Sequence, residues 1–119
     1  MTMKVYAYKN CDSCRKAKKW LKENGVAFEE IAIREQPPTK AELKQMMEAK
    51  GGELKSLFNT SGGDYRSLGL KDRLSELSFD EAADLLMSNG NLVKRPFVVG
   101  RELALVGFKP EVWTEAFGL

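Results

Sequence analysis

The chain has 119 residues, 43% hydrophobic and 30% charged, a balance typical of one folded globular domain rather than a disordered or fibrous protein. The net charge is only +2, with lysines mixed among glutamates, so we expect no direct binding of nucleic acid. No apolar run approaches the roughly 20 residues of a membrane-spanning helix. Met1-Thr2-Met3-Lys4 leads into a strand without a signal-peptide core, and we expect a monomer located in the cytoplasm.

The first third of the chain has the pattern of a strand, a helix and a second strand. Residues 4–8 alternate as in a half-buried strand. From Asp12 to Asn24, apolar residues recur at helical spacing, and Asn24-Gly25 is a typical helix stop. Residues 26–33 are again strand-like. This order predicts a parallel, right-handed βαβ unit.

Two capping boxes predict two further helices. Thr39 with Glu42 opens a helix that continues to about residue 50, and Ser78 with Glu81 opens another that ends at Asn89-Gly90. Between them, residues 53–77 are predicted to form short helical turns, with residues 61–64 as a loop that presents backbone amides.

The last part of the chain has the pattern of a hairpin and a short helix. Residues 96–99 and 103–106 are strand-like and flank Gly100-Arg101-Glu102, and residues 110–117 form the predicted helix. We therefore predict an α/β fold, a three-layer α/β/α sandwich with a mixed sheet of about four strands and helices on both faces.

Cys11 and Cys14 lie where the first helix is predicted to begin. A helix N-terminus offers free N–H groups and partial positive charge, so a thiolate at Cys11 is stabilised there. Residues three apart on a helix are about 5–6 Å apart, within the Cα separation of a disulfide. We interpret Cys11 as the nucleophile and Cys14 as its partner, with Arg15 and Lys16 adding positive potential nearby.

Other interpretations of the cysteine pair remain open. Both thiols are compatible with ordinary buried residues, and the pair is compatible with half of a zinc site completed by a second subunit. The chain has no histidine, which excludes a Cys-His pair and histidine metal ligation, and we predict no metal. A reducing compartment argues against a structural disulfide.

The segment from Tyr8 to Ala17, Tyr-Lys-Asn-Cys-Asp-Ser-Cys-Arg-Lys-Ala, resembles the active-site turn of the ArsC/Spx/YffB family. The likeness continues through residues 58–62, 65–70 and 94–99 and thus covers nearly the whole chain. It implies a thioredoxin-like fold in a single ArsC-like domain, residues 1–119, with a helical insertion at about residues 39–90. It further implies that Pro96 is a cis proline facing the active site and that Arg95 contacts an oxyanion or a cysteine adduct.

Arsenate reductases of this family place three arginines around the anion, since guanidinium groups match tetrahedral oxyanions. Only Arg95 is clearly retained, because Asn59 and Lys109 stand where arginines are expected, so efficient arsenate reduction is doubtful. Arg66 is a candidate substitute, with a solvated charge as the alternative, and Asn59 has a turn-forming role as its alternative. The candidate substrate-binding residues are Asn10, Arg15, Asn59, Arg66, Pro96 and Lys109.

Two functions are compatible with these residues. The first is a thiol-disulfide oxidoreductase acting on arsenate or glutathione-mixed disulfides, with Cys11, Cys14 and Arg95 as catalytic residues. It needs no bound cofactor, and glutathione, glutaredoxin or thioredoxin would serve as reductant. The second is an Spx-like redox sensor that binds the RNA polymerase α subunit, with Glu53 and Lys55 near the contact. The absence of a long tail after the last predicted helix favours the enzyme.

Overall fold

The computed structural model describes residues 3–119, so the predicted absence of a leader at Met1 and Thr2 lies outside the described residues. Four strands form one sheet in the order β2-β1-β3-β4. Their bounds are Met3–Ala7 for β1, Phe28–Ala32 for β2, Phe97–Val99 for β3 and Ala104–Val106 for β4. β1 is parallel to β2, whereas β1 with β3 and β3 with β4 are antiparallel, which confirms the predicted mixed sheet.

Five α-helices accompany the sheet within residues 3–119. They are α1 (Asp12–Glu23), α2 (Lys40–Ala49), α3 (Gly63–Ser67), α4 (Phe79–Ser88) and α5 (Pro110–Ala116). Both predicted capping boxes are present, with Thr39 opening α2 and Ser78 opening α4. Short 3₁₀ turns fill much of the segment between α2 and α4, as predicted. None of the helices in this part of the chain combines the length and the apolarity needed to cross a membrane.

The two faces of the sheet bury separate apolar clusters. In β1, Val5 and Ala7 face α1 and α5, whereas Tyr6 faces α2 and α4, because successive residues of a strand point to opposite sides. In β3, Val98 joins the first cluster while Phe97 packs edge-on against Tyr6 in the second. Helices therefore cover both faces, and the predicted three-layer α/β/α sandwich is confirmed.

The segment between α4 and β3 packs directly against the end of β2. Gly90 is buried there, and a Cβ atom on it would lie 2.0 Å from the carbonyl oxygen of Ile33. Ile33 in turn donates its backbone N–H to Ala7 at 3.0 Å. The segment between α4 and β3 therefore lies directly against the backbone at the edge of the sheet where β1 and β2 end.

Most predicted element boundaries differ from the structure by one or two residues, and three of the differences have a local cause. Tyr8 was expected in the first strand but its carbonyl accepts from the Cys11 N–H at 3.2 Å, which turns the chain away from the sheet after Ala7. Residues 26–27 precede β2, because Val26 still donates to the carbonyl of Leu21 at the end of α1. The predicted loop at residues 61–64 is shorter, since α3 begins at Gly63.

Candidate active site

Cys11 is the N-cap residue of α1 and is partly exposed to solvent. Its Sγ accepts a hydrogen bond from the backbone N–H of Cys14 at 3.3 Å, so the sulfur occupies the place of a capping oxygen. Three features of a nucleophile coincide here: access from solvent, a donor directed at the sulfur and the positive end of a 12-residue helix.

Cys14 lies one turn further along α1 and is fully buried against the sheet, beside Ala17 and Leu21. Burial and a hydrogen bond to Cys11 raise the pKa of the Cys14 thiol to about 12, although a hydrogen bond with the Tyr8 backbone and the charge of Arg95 oppose this rise. Both cysteines are free thiols within contact of each other. The inner thiol is therefore protonated near neutral pH and protected from solvent, whereas the outer one is accessible.

Residues 8–15, which we call the cysteine turn, follow β1 and contain both cysteines. Arg95 and Pro96 lie opposite this turn because β3 is antiparallel to β1, with Phe97 paired with Tyr6. The peptide bond between them is cis, as the resemblance implied, and Pro96 is buried. Arg95 lies with its guanidinium 5.1 Å from the centre of the Tyr8 ring, and its positive charge reaches the Cys14 thiol. Its Nη1 is buried and makes no hydrogen bond to residues 3–119.

The buried cysteine predicts a loss of stability in alkali. The pKa of Cys14 in the folded protein exceeds its ordinary value of 9.0, so this thiol supports folding below that pH and the support is lost as pH rises toward about 12. Unfolding free energy should fall by about 1.4 kcal/mol per pH unit for each such group. Burial also raises the pKa of Tyr6, which adds to the loss in the same direction.

Urea unfolding of the reduced protein at pH values from about 8 to about 11 measures this slope. We expect the free energy of unfolding to depend less steeply on pH in Cys14→Ala than in the wild type. Tyr6→Phe is the matched variant that removes only the phenol, and it should lose only the part of the slope that Tyr6 adds. An unchanged slope in Cys14→Ala would contradict the assignment of a protonated, buried thiol.

Tyr8 and Arg34 are two neighbours of the site that sequence reasoning did not select. The guanidinium of Arg34 lies 4.7 Å from the centre of the Tyr8 ring, so two arginines, Arg34 and Arg95, contact one aromatic side chain. A hydrogen bond from the Asn10 amide lowers the pKa of the Tyr8 phenol, and the charge of Arg34 lowers it further. The predicted parallel pairing of β1 and β2 could have indicated both residues. Residues that follow two parallel strands meet at one edge of the sheet, and Tyr8 and Arg34 follow these two.

Two predicted binding residues, Asn10 and Arg15, belong to the cysteine turn itself. Asn10 is exposed and donates to the Tyr8 hydroxyl at 3.3 Å. Arg15 is exposed, forms an ion pair with Asp12 and donates to the Lys9 carbonyl at 3.4 Å. Its charge is therefore directed at the loop and at a carboxylate of the same turn.

Within residues 3–119, no hydrogen bond or ion pair joins Asn59, Arg66 or Lys109 to Cys11 or Cys14. The backbone of Asn59 donates to Leu92 at 2.7 Å and its carbonyl accepts from Gly62 at 3.1 Å, consistent with a turn-forming residue. Arg66 is exposed on α3, and Lys109 is exposed where α5 begins.

An open groove of about 390 Å³ adjoins the cysteine turn on its β2 side. It is lined by Ala7, Tyr8, Lys9, Glu30, Ala32 and Glu35. No group of three or more potential metal-ligating side chains occurs among the residues that the structure describes. Two sulfur atoms in contact with each other near the charge of Arg95 form an arrangement suited to thiol chemistry.

Comparison with known proteins places this geometry in context. The chain is 50% identical over 115 residues to YusI, an uncharacterized protein of Bacillus subtilis, with 97% of this chain and 98% of that protein covered. It is 30% identical to the global transcriptional regulator Spx of Streptococcus agalactiae, over 86% of this chain and 73% of that protein.

A solved structure described as a possible arsenate reductase from Streptococcus mutans matches with a TM-score of 0.84 and 42% identity. The match covers 91% of this chain and 92% of that one. The sheet, the helices on both faces and this likeness together confirm the thioredoxin-like fold of the arsenate reductase-like proteins.

The family assignment suggested by the cysteine turn is confirmed independently. The model of the ArsC family matches residues 6–116, a span that includes the cysteine turn, the helices α2 to α4 and the cis proline. This chain belongs to the ArsC family.

Proposed function

We propose that the protein is a thiol-disulfide oxidoreductase in which Cys11 attacks the substrate and Cys14 resolves the adduct. The observation that carries this proposal is the pairing of a partly exposed sulfur at the N-terminus of α1 with a buried thiol one turn away. A purely structural pair would have no need to keep one sulfur accessible and the other within its reach.

The proposed reaction has two exchange steps. The Cys11 thiolate attacks one sulfur of a substrate disulfide, a mixed disulfide forms on Cys11, and the other substrate sulfur leaves as a thiolate. Cys14 then gives its proton to the departed substrate thiolate or to water and attacks the Cys11 sulfur, which forms the internal disulfide and releases the second substrate thiolate. The substrate gains two electrons in total, and an external thiol reductant such as glutathione, glutaredoxin or thioredoxin restores the pair.

Arg95 is the proposed stabiliser of negative charge. Support comes from its buried Nη1, which has no hydrogen-bond partner within residues 3–119, and from its electrostatic effect on the Cys14 thiol. A buried guanidinium donor without a partner is costly, and a thiolate or an oxyanion would satisfy it. Arsenate is the proposed oxyanion substrate and glutathione-mixed disulfides are the proposed alternative.

Adduct mapping by mass spectrometry tests the assignment of roles. After oxidised glutathione, the wild-type protein should lose two hydrogen atoms as the internal disulfide forms. Cys14→Ser should retain a glutathione adduct on Cys11, because no second thiol is present to release it. Cys11→Ser is the matched control and should react slowly, since Cys14 is fully buried. An adduct located mainly on Cys14, or none at all, would contradict the proposal. Parallel samples with arsenate compare the two proposed substrates.

A second candidate function is a redox-sensing regulator, favoured by the likeness to Spx over 86% of this chain. The proposed contact surface includes Glu53 and Lys55, both exposed in the segment after α2. A pull-down with the C-terminal domain of the RNA polymerase α subunit, oxidised and reduced, separates the two functions. Binding that depends on the redox state, without reductase turnover, would favour the regulator; turnover without binding would favour the enzyme.

A further inference from the structure

A second cavity, of about 390 Å³, lies between β4, α5 and the end of α2. Its lining includes Lys50, Lys94, Leu105, Phe108, Lys109 and Val112. We call it the lysine cavity. None of the residues of the cysteine turn lines it.

The charge of the lysine cavity is one-sided. Lys50, Lys94 and Lys109 line it and no carboxylate does, although the chain as a whole is nearly balanced, with 19 basic and 17 acidic residues. The ion pairs found within residues 3–119 do not involve these three lysines. Three cations around one concave surface create a positive potential that an anion would relieve.

The side chain of Lys94 passes close to Gly107 at the cavity wall. The Cε atom of Lys94 lies 3.4 Å from the position that a Cβ atom on Gly107 would take, so the lysine stem passes over the bare backbone. Gly107 has a φ of 71°, a conformation that favours glycine. The stem of Lys94 therefore lies along the cavity wall, with this lysine exposed to solvent.

The wall of the lysine cavity is apolar and aromatic. Trp113 and Leu105 are buried, and Phe108 packs edge-on against Trp113 with ring centres 4.9 Å apart. The indole N–H of Trp113 donates to the Gly107 carbonyl at 3.1 Å, so the buried ring supports the wall from behind. Phe108 is half-buried and Val112 is exposed, and these two side chains give the wall its accessible apolar surface. Such a wall with cations around it suits a molecule that has both an apolar body and an anionic group.

The lysine cavity shares an edge of the sheet with the cysteine turn. Gly107 donates its N–H to the carbonyl of Pro96 at 2.9 Å, and Pro96 begins the segment opposite the end of β1. Because β1 ends, β3 begins and β4 ends at this edge, a bound molecule would lie beside the Arg95-Pro96 bond rather than on the Cys11 sulfur.

We propose that the lysine cavity binds an organic anion, a ring or aliphatic body that carries a phosphate, sulfonate or carboxylate group. The three lysines bind the anionic group, and Phe108 with Val112 contacts the body. The proposal does not depend on thiol exchange, because it uses no atom of either cysteine.

The probe for this test is 1-naphthyl phosphate, titrated into isotope-labelled, reduced protein and followed by amide chemical shifts. We expect saturable shifts at Phe108, Lys109 and Val112 with a dissociation constant below about 1 mM. The uncharged 1-naphthol and inorganic phosphate should each bind at least about tenfold more weakly, because each lacks one half of the recognised chemistry.

Variants separate the lysine cavity from the cysteine site. The double substitution Lys94→Gln and Lys109→Gln should weaken binding of 1-naphthyl phosphate at least about tenfold, whereas Lys22→Gln, an exposed lysine on α1, should leave it unchanged. The Cys11→Ser, Cys14→Ser protein should bind as the wild type does, whether or not thiol exchange is confirmed. The proposal would be overturned by chemical shifts that do not saturate, or by shifts centred on the cysteine turn. It would also be overturned if the double lysine variant bound 1-naphthyl phosphate as tightly as the wild type does.

Discussion

Replacing Cys11 with serine is expected to reduce turnover of a disulfide or arsenate substrate at least about a hundredfold, to the level of the uncatalysed exchange. The serine hydroxyl can still cap α1, because it accepts the same N–H of Cys14 that the sulfur accepts at 3.3 Å. It cannot form a disulfide, so the first step of the proposed reaction is lost while the fold is kept. A coupled assay with glutathione or thioredoxin as reductant measures the effect.

Ser13→Ala is the matched control for this experiment, since Ser13 is an exposed residue of the same turn between the two cysteines. We expect it to retain wild-type turnover and stability. Full turnover by Cys11→Ser, with its folding verified by circular dichroism, would refute Cys11 as the nucleophile.

Replacing Gly90 with alanine is expected to destabilise the protein by about 2 to 4 kcal/mol. A Cβ atom there would lie 2.0 Å from the Ile33 carbonyl oxygen and 2.9 Å from the Cα of Arg34. Both neighbours are backbone atoms, which cannot move aside as the end of a flexible side chain can. The segment between α4 and β3 must therefore shift away from the end of β2.

Gly63→Ala is the matched control, because no atom lies within 4 Å of the Cβ position there and its φ is not positive. It should change the free energy of unfolding by no more than about 0.5 kcal/mol. Urea unfolding of both variants measures the difference. Similar stability in Gly90→Ala and Gly63→Ala would show that the position of the segment between α4 and β3 does not depend on this close contact.

The same contact links the fold to the candidate site. Arg34 follows the strand end on which Gly90 packs, and its guanidinium lies 4.7 Å from the centre of the Tyr8 ring. We therefore expect Gly90→Ala to perturb the pKa of the Tyr8 phenol, which the charge of Arg34 now lowers together with the hydrogen bond from Asn10.

Without the family resemblance, which supplied Arg95 and the cis Pro96, the candidate site was predictable only where it is local in sequence. Cys11 and Cys14 lie one helical turn apart in any structure that begins a helix at this point, and the capping role of Cys11 follows from that position. The surroundings of Arg15 were less predictable, because a pairing with Asp12 competes with any pairing across the site. The roles assigned to Asn10, Asn59 and Arg66 stay predictions.

Lys109 has a neighbourhood that its position in a motif does not reveal. The role in anion binding that the resemblance implies for it stays a prediction, and in this structure the residue lines the lysine cavity with Lys50 and Lys94. These three lysines are far apart in sequence, so no local pattern predicts that they line one cavity.

The amino-acid sequence alone determined the elements whose signals lie within a few residues of each other. The two-residue period of a strand determined that Tyr6 faces one apolar cluster while Val5 and Ala7 face the other. The capping boxes at Thr39 and Ser78 determined where two helices begin. Local hydrogen bonding and the periodicity of apolar residues are sufficient for these features.

Only the tertiary structure decided the strand order and what it brings together. The antiparallel placement of β3 beside β1 sets Arg95 opposite the cysteines, and the parallel pairing of β1 with β2 sets Arg34 beside Tyr8. These contacts join residues 26 to 87 positions apart, from Tyr8 to Arg34 and from Tyr8 to Arg95, and they form because the packing of both sheet faces outweighs the entropy of closing such loops.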